Sequence, residues 1–320
     1  MTSTLVRPER TAPSRDDRAR PARRRRPWWR NWQLYSLLVL PVAYFVLFRY
    51  IPMAGNIIAF RQYVPGGNIF GDSWIGFQNF QLFLADPSFW QVFSNTAILG
   101  GLALVFGFPV PIILALLLNE VRNRGFKRFV QTTTYLPHFL SVVIVAGMIL
   151  QITSLTGSIN FVLKAMGLQA VSFIQDPAWF PAIYVGSEIW QTMGWGTILY
   201  LAALTQIDEN LYEAARLDGA NRWQQTWHVT LPGIAPTIVT LLILNIGTFM
   251  GVGFEKILLI YNPATYATAD VISTYLYRVG IQSGSFSYAA AIGMFEAVIG
   301  LVLVLSANFV SKRLVGASLW

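Results

Sequence analysis

Polar side chains interrupt two otherwise apolar stretches of this sequence, and their spacing suits ligand binding. Gln191 and Trp195 follow Glu188 by three and seven residues, so a carboxylate, an amide and an aromatic ring share one stripe of a helix. Carboxylates and amides exchange hydrogen bonds with ligand hydroxyl groups, and aromatic rings pack on apolar ligand faces. A second stretch contains the same residue types at Asn245, Phe254 and Glu255.

The residues needed for catalysis or for a metal site are scarce. The chain contains no Cys, which excludes a thiolate nucleophile and any Cys-based zinc or iron–sulfur site. Its two histidines, His138 and His228, lie far apart in the sequence. No Gly-Lys dipeptide is present, although the usual phosphate-binding loop of an ATPase requires one. We therefore expect no catalytic residues, no metal site and no cofactor bound by this chain.

The composition is that of a membrane protein with a basic tail. Of the 320 residues, 54% are hydrophobic and only 12% are charged, against about 25% charged in a soluble domain. Residues 1–33 hold ten Arg and three acidic residues, which accounts for nearly all of the net charge of +8. This segment lacks the apolar side chains needed to form a core, so we predict a disordered cytoplasmic tail that contacts anionic lipid.

Six stretches in residues 34–320 are apolar and long enough to cross a bilayer, which requires about 20 helical residues. The sequence therefore predicts an all-α membrane protein. Residues 34–60 are expected to form a peripheral first span and the start of the outer loop, and residues from about 90 to 310 the core transmembrane domain. The six predicted spans are Leu34–Gly55, Ala97–Leu118, Tyr135–Ile152, Phe180–Leu204, Pro236–Ile260 and Tyr288–Val310.

The distribution of Lys and Arg predicts the orientation of the spans. The tail, the connections 119–133 and 207–234, and the C-terminus together hold eighteen basic residues, whereas the other three connections hold three. Because basic residues accumulate on the cytoplasmic side, both termini are expected in the cytoplasm. This places a multi-pass protein in the cytoplasmic membrane.

The connection 207–234 is too long and too regular to be a simple turn. Asp208 can cap a first helix, and Gly219 can end it because glycine adopts positive φ without a Cβ penalty. Asn221 and Gln224 have the spacing of a capping box for a second helix. The segment is expected either to dock on a soluble partner or to pack as a helical hairpin on its own spans.

The segment contains Glu213-Ala-Ala, with Gly219 four residues after Ala215 and Leu231-Pro232 twelve residues after the glycine. This pattern resembles the EAA signature of permease subunits in ATP-binding-cassette importers. The resemblance implies a type I importer transmembrane architecture in which the segment is the coupling helix that docks on an ATPase. It further implies two ATPase subunits that use ATP and Mg²⁺, a second and different permease subunit, and an extracytoplasmic solute-binding protein. The residues that match the signature are Glu213, Ala214, Ala215, Gly219, Leu231 and Pro232.

Three further segments are similar to the branch of this family that imports oligosaccharides: 48–52, 74–77 and 261–278. In that branch the helices on either side of the coupling loop contact the sugar, which points to Glu188 and Glu255 and the polar and aromatic residues beside them. The alternative is a structural role. In that case Glu255 pairs with Lys256 or Arg49, or Glu188 meets a helix of the second permease.

Other functions fit the sequence less well. An ion-coupled secondary transporter could use Glu296 as a proton carrier, but the sequence contexts of Glu188, Glu255 and Glu296 do not repeat. An intramembrane enzyme would need a nucleophile and a base at one depth in the membrane, and a chain with no Cys and two widely separated histidines is a poor fit to this requirement. The segment 207–234 also resembles a DNA-binding helix-turn-helix, but its acidic residues outnumber its basic ones, which disfavours nucleic acid.

Overall fold

The computed structural model describes residues 32–68 and 70–314, so almost all of the predicted tail lies outside the described residues. The chain divides into two compact units, Met1–Ala54 and Gly55–Trp320. The first unit contains α1 (Trp32–Phe45), a π-helical turn (Val46–Tyr50) and α2 (Ile51–Ala54). Its described side chains are almost all exposed and largely apolar, which suits a helix surrounded by lipid.

The second unit begins with a small structure outside the long helices. A 3₁₀ turn (Gly55–Phe60) leads into strand β1 (Arg61–Gln62), which pairs antiparallel with β2 (Ser73–Trp74) before helix α3 (Gln78–Ala85). Asn79 donates its side-chain amide to the carbonyl of Ala59 at 2.9 Å, which fixes α3 on the 3₁₀ turn.

The next two helices follow each other with only a π turn and one residue between them. Helix α4 (Phe89–Leu102) continues through a π turn (Ala103–Gly107) into α5 (Pro109–Glu120). Helix α6 (Arg124–Tyr135) begins after three intervening residues and is capped by the Asn123 side chain. The predicted connection 119–133 is therefore mostly helix.

The predicted third span, Tyr135–Ile152, differs from the observed helices. Tyr135 ends α6, a 3₁₀ turn (Leu136–Phe139) interrupts the chain, and α7 (Val142–Thr153) begins after the Ser141 cap. Pro137 explains the interruption, because proline lacks the N–H that an α-helix would use there. Helix α8 (Ser158–Ala165) follows.

Helix α9 (Phe180–Leu204) has the bounds predicted for the fourth span and packs closely against α5 and α6. Its 25 residues extend about 37 Å. A Cβ on Gly194 would collide with the backbone carbonyl of Thr134 on α6, so this glycine permits the close packing.

The region after α9 contains α10 (Glu209–Leu217) and α11 (Arg222–Gln225), and a π turn (Thr226–Thr230) then joins α11 to α12 (Leu231–Gly247). The predicted fifth span, Pro236–Ile260, starts too late and is not continuous, although its last residue is also the last residue of α13. The helix begins before Pro236, and it breaks at residues 248–253 ahead of α13 (Phe254–Ile260). Gly253 has φ +27°, and a Cβ there would collide with the Tyr184 hydroxyl.

The last described part of the chain consists of several short helices and turns, followed by one long helix. A 3₁₀ turn (Pro263–Thr265), α14 (Tyr266–Ala269), α15 (Ile272–Tyr277) and a π turn (Arg278–Gln282) precede α16 (Phe286–Leu314). Among the described residues, five helical stretches are long and apolar enough to cross a membrane. They are Tyr35–Phe60, Phe89–Glu120, Val142–Ala165, Arg222–Gly247 and Phe286–Arg313.

Helix α9 is not among these five, although the sequence predicts it as a span. It is long enough, but Glu188, Gln191 and several Tyr and Trp residues lower its mean hydropathy. Helices α5, α6 and α12 pack against it, while Trp190, Trp195 and Leu199 stay exposed. A helix that is covered by other helices can carry polar groups that lipid would not accept.

Candidate functional site: the loop 207–234 and an internal cavity

The structure confirms the helix boundaries predicted for residues 207–234. The Asp208 side chain accepts a hydrogen bond from the backbone N–H of Asn210 at 3.0 Å and caps α10. Gly219 ends the helix with φ +78°, and the N–H of Ala220 donates to the carbonyl of Ala215 at 2.9 Å. The pattern is that of a Schellman C-cap.

The second helix starts with the predicted capping box. The backbone N–H of Gln224 donates to the Asn221 side chain at 2.9 Å, and the Gln224 side chain accepts from the Asn221 N–H at 2.8 Å. Trp223 and Trp227 lie one turn apart, with ring centroids at 6.0 Å, and both are exposed. The loop therefore presents a defined, partly apolar surface.

The residues of the EAA signature lie on or beside this surface. Glu213 and Ala214 are exposed on α10, while Leu231 and Pro232 begin α12. Leu217, at the end of α10, is 90% exposed. An open pocket of about 320 Å³ lies between the two helices and is lined by Ala215, Asp218, Gly219, Ala220, Gln224, His228 and Val229.

A larger cavity of about 400 Å³ lies between α9, the α4–α5 helix, α12 and the turn 248–253. Most of its wall is apolar and rich in glycine. Its polar and aromatic lining residues include His138, Tyr184, Glu188, Thr192, Trp195, Tyr200, Asn245, Thr248 and Phe249.

The cavity adjoins two interrupted helices, and α9 holds both. Gln191 donates its side-chain amide to the carbonyl of Leu140, at 3.3 Å, in the break between α6 and α7. Glu188 forms a 2.6 Å ion pair with Lys256, just beyond the break between α12 and α13. The Gln191 bond satisfies a backbone carbonyl that lipid could not satisfy, and the ion pair joins α13 to α9.

The predicted pathway residues separate into two groups. Glu188, Trp195 and Asn245 line the cavity together, on α9 and α12. Gln191 is turned toward the break at Leu140. Phe254 contacts the ring of Tyr277, with centroids 5.6 Å apart, and Glu255 is exposed; both lie on α13 and outside the lining.

Sequence reasoning missed two residues at this site. His138 stacks on Trp195 with ring centroids 4.5 Å apart and planes at 7°, so two flat rings form part of the wall. Lys256 pairs with Glu188 and not with Glu255, which corrects the predicted alternative. Consecutive residues of a helix do not face each other, and that spacing could have argued against the Glu255–Lys256 pair.

Among the described residues, no three His, Asp or Glu side chains lie close enough together to hold a metal ion. Glu296 lies on α16, away from the cavity lining, and is half-buried. The site as described is suited to non-covalent binding: it combines flat rings, one carboxylate and several amide and hydroxyl groups.

Comparison with known proteins identifies the chain. The family described as "Binding-protein-dependent transport system inner membrane component" matches residues 107–316. The chain belongs to this family. It is therefore a membrane permease of the ATP-binding-cassette importers, as the EAA resemblance implies.

Full-length relatives agree with this assignment. The permease is 44% identical to Protein LplB of Bacillus subtilis over 89% of this chain and 90% of LplB. It is also 44% identical to the polygalacturonan/rhamnogalacturonan transport system permease protein YteP of the same organism, over 88% of each chain. A crystal structure of a bacterial alginate transporter, in complex with a periplasmic protein bound to an alginate pentasaccharide, contains a chain 45% identical to it. That chain matches with a TM-score of 0.85, over 91% of this permease and 98% of the solved chain.

Proposed function

We propose that this permease forms, with a second permease subunit, the membrane passage of an ATP-driven importer of oligosaccharides. The observation that carries the proposal is the cavity between the two broken helices, which combines stacked rings with a carboxylate and an amide. Sugars present apolar C–H faces to rings and hydroxyl groups to polar side chains. The names of the relatives, which refer to polygalacturonan, rhamnogalacturonan and alginate, support a saccharide.

The proposed topology has six spans and places both termini in the cytoplasm of a bacterial cell. Five spans are the apolar helices described above, and α9 is the sixth because the surrounding helices cover its polar side chains. This arrangement puts the loop 207–234 on the same side of the membrane as the basic tail, the basic connection 119–133 and the C-terminus, which is the cytoplasmic side.

The energy for transport is proposed to come from partner subunits. Two ATPase subunits bind ATP and Mg²⁺, and the exposed helix α10 with its adjoining pocket is the docking surface that transmits their closure. An extracytoplasmic binding protein delivers the solute. This chain itself contributes binding groups only, and no cofactor.

Glu188, Trp195 and Asn245, together with His138, form the proposed saccharide contact surface. Gln191 acts on the same path by holding the α6–α7 break, while Phe254 and Glu255 lie behind it on α13. Trp195→Ala is expected to lower the apparent affinity for saccharide about tenfold, whereas Trp195→Phe, which keeps a ring, has a smaller effect.

The decisive experiment isolates the permease from native membranes in mild detergent and identifies the copurifying proteins. We expect an ATPase with a phosphate-binding loop and a second six-span permease. The complex, reconstituted in liposomes with its binding protein, should import galacturonan or alginate oligosaccharides only with ATP. Recovery of the permease alone, or uptake driven by an ion gradient without ATP, would contradict the proposal.

A further inference from the structure

We propose that Lys256 is a positioning residue for the cavity, which fastens the turn between α12 and α13 to α9 through its ion pair with Glu188. The second part of the proposal is that this pair presents the Glu188 carboxylate to the solute. The inference rests on the proposed function, in which the cavity is the saccharide path.

The burial of the two side chains supports this role. The Lys256 side chain is only 4% exposed, and the carboxylate of Glu188 is the one hydrogen-bond partner of its ammonium group among the described residues. An ammonium group is strongly disfavoured in such a position unless it is paired. Lys256 is therefore held at Glu188, and α13 with it.

The geometry of Glu188 explains what the pair does for the cavity. Its Oε2 accepts from Lys256 at 2.6 Å, while Oε1 has no hydrogen-bond partner among the described residues. The side chain is 34% exposed and lines the cavity. One oxygen is thus anchored and the other is free to accept a hydrogen bond from a solute hydroxyl group.

The position of the pair in the fold gives it a second effect. The turn 248–253 forms one wall of the cavity, with Thr248, Phe249, Gly251, Val252 and Gly253 in the lining. Lys256 lies three residues after this turn. Its ion pair with Glu188 on α9 therefore limits how far this wall of the cavity can move. Gln191, three residues from Glu188 on the same helix, holds the other break in the same way.

The first test separates assembly from transport in the complete transporter. Glu188→Gln leaves the buried ammonium group of Lys256 without its charged partner and is expected to assemble poorly. The double variant Glu188→Gln with Lys256→Met removes both charges, so it is expected to assemble like the wild type and yet to import saccharide at least about tenfold more slowly. Normal uptake by the double variant, or its failure to assemble, would overturn the proposal.

A second buried ion pair provides a matched control. Arg278 bonds Asp270, whose side chain is 4% exposed, and neither residue lines the cavity. The double variant Asp270→Asn with Arg278→Met removes the same two charges elsewhere. Its uptake per assembled complex should equal that of the wild type, and an equal loss in both double variants would contradict a specific role for Lys256.

The second test requires no substrate. Because the chain contains no Cys, Val252→Cys provides a single thiol on the turn, and Val252 is only 7% exposed, so the thiol is protected while the turn is fastened. A small maleimide should label it at least about tenfold faster when Glu188 and Lys256 are neutralised, because the turn is then released. Equal rates would refute the fastening. The two hypotheses can fail separately. If the neutralised variant is labelled faster but the wild-type transporter imports no saccharide, the proposed function is refuted and the fastening by Lys256 stands.

Discussion

Two carboxylates of this permease, Glu188 and Asp86, have partners that lie far away in the sequence. Lys256 is adjacent to Glu255, but it bonds Glu188, which is 68 residues away. The same is true outside the long helices, where Asp86 accepts hydrogen bonds from the hydroxyl groups of Tyr275 and Tyr288, at 2.6 and 3.2 Å. Each of these two contacts joins elements that are far apart in the chain.

The network around Asp86 predicts a pH-dependent stability. Burial raises the pKa of Asp86, but the hydrogen bonds from Tyr275, Ser88 and Tyr288 outweigh burial and bring the pKa below its ordinary value of 3.8. A lowered pKa stabilises the folded protein above the ordinary value, and this stability is lost as the pH falls through the folded-state pKa.

Asp86→Asn should therefore lower the melting temperature of the solubilised permease at pH 6 and reduce the difference in melting temperature between pH 6 and pH 3. The exposed Asp72, changed to Asn, is the control and should leave the wild-type profile unchanged. A profile for Asp86→Asn identical to that of the wild type would show that the network adds no stability.

The elements are positioned by glycines at two kinds of site. Gly219 has φ +78° but open space around its Cβ position, so the constraint there comes from the backbone. Gly194 on α9 has an ordinary backbone, but a Cβ would collide with the carbonyl of Thr134. The first glycine shapes an exposed loop, and the second sets the distance between two helices.

Gly219→Asp is expected to uncouple ATP hydrolysis from uptake while the protein still inserts. The strain of about 1–2 kcal/mol for a non-glycine residue at positive φ falls on an exposed turn, which distorts the proposed docking surface without disturbing the core. Glu213→Ala should have the same effect. The measurement is the ratio of saccharide imported to ATP hydrolysed in liposomes.

The control for Gly219 is Gly167→Asp. Gly167 has φ +80° and open space around it, but it lies after α8, outside the loop 207–234. If both variants kept the wild-type coupling ratio, the docking role of the loop would be refuted.

Gly194→Ala should separate α6 from α9 and destabilise the permease by about 1–3 kcal/mol, the usual cost of an overpacked interior. Gly186→Ala, on the same helix with nothing within 4 Å of its Cβ, should be neutral or slightly stabilising. Thermal unfolding of the two purified variants measures the difference. Equal melting temperatures would mean that the α6–α9 contact is looser than described.

At the scale of the whole molecule, the apolar surface is extensive. Large hydrophobic side chains are exposed along α1, α4–α5, α7 and α16, including Leu40, Val105, Val143 and Leu301. Exposure of this kind suits lipid or other subunits, since it would be unfavourable in water. In contrast, α9 is covered on several sides, and this distinction supports its assignment as an interior span.

The proposed six-span topology predicts that the two ends of α9 lie on opposite sides of the membrane. Gln175→Cys, before α9, should react with a membrane-impermeant maleimide on intact spheroplasts, while Gln206→Cys, after α9, should react only after permeabilisation. Both positions are exposed, and the chain has no other thiol. Reaction of both from the same side would exclude α9 as a span.

The sequence by itself determined the features that depend on local chemistry. The caps at Asp208 and Asn221, the turn at Gly219 and the bounds of α9 follow from residue types at short spacing, because neighbouring residues supply every hydrogen bond involved. The EAA signature likewise led to the family before any contact was known.

Only the tertiary structure decided which distant groups meet. Apolar composition could not locate the breaks at residues 136–141 and 248–253, because the broken segments are as hydrophobic as a continuous span. The stacking of His138 on Trp195 and the pairing of Lys256 with Glu188 depend on how α6, α9 and α13 pack. Packing joins residues far apart in the chain, and a periodic pattern within one segment holds no information about its partner.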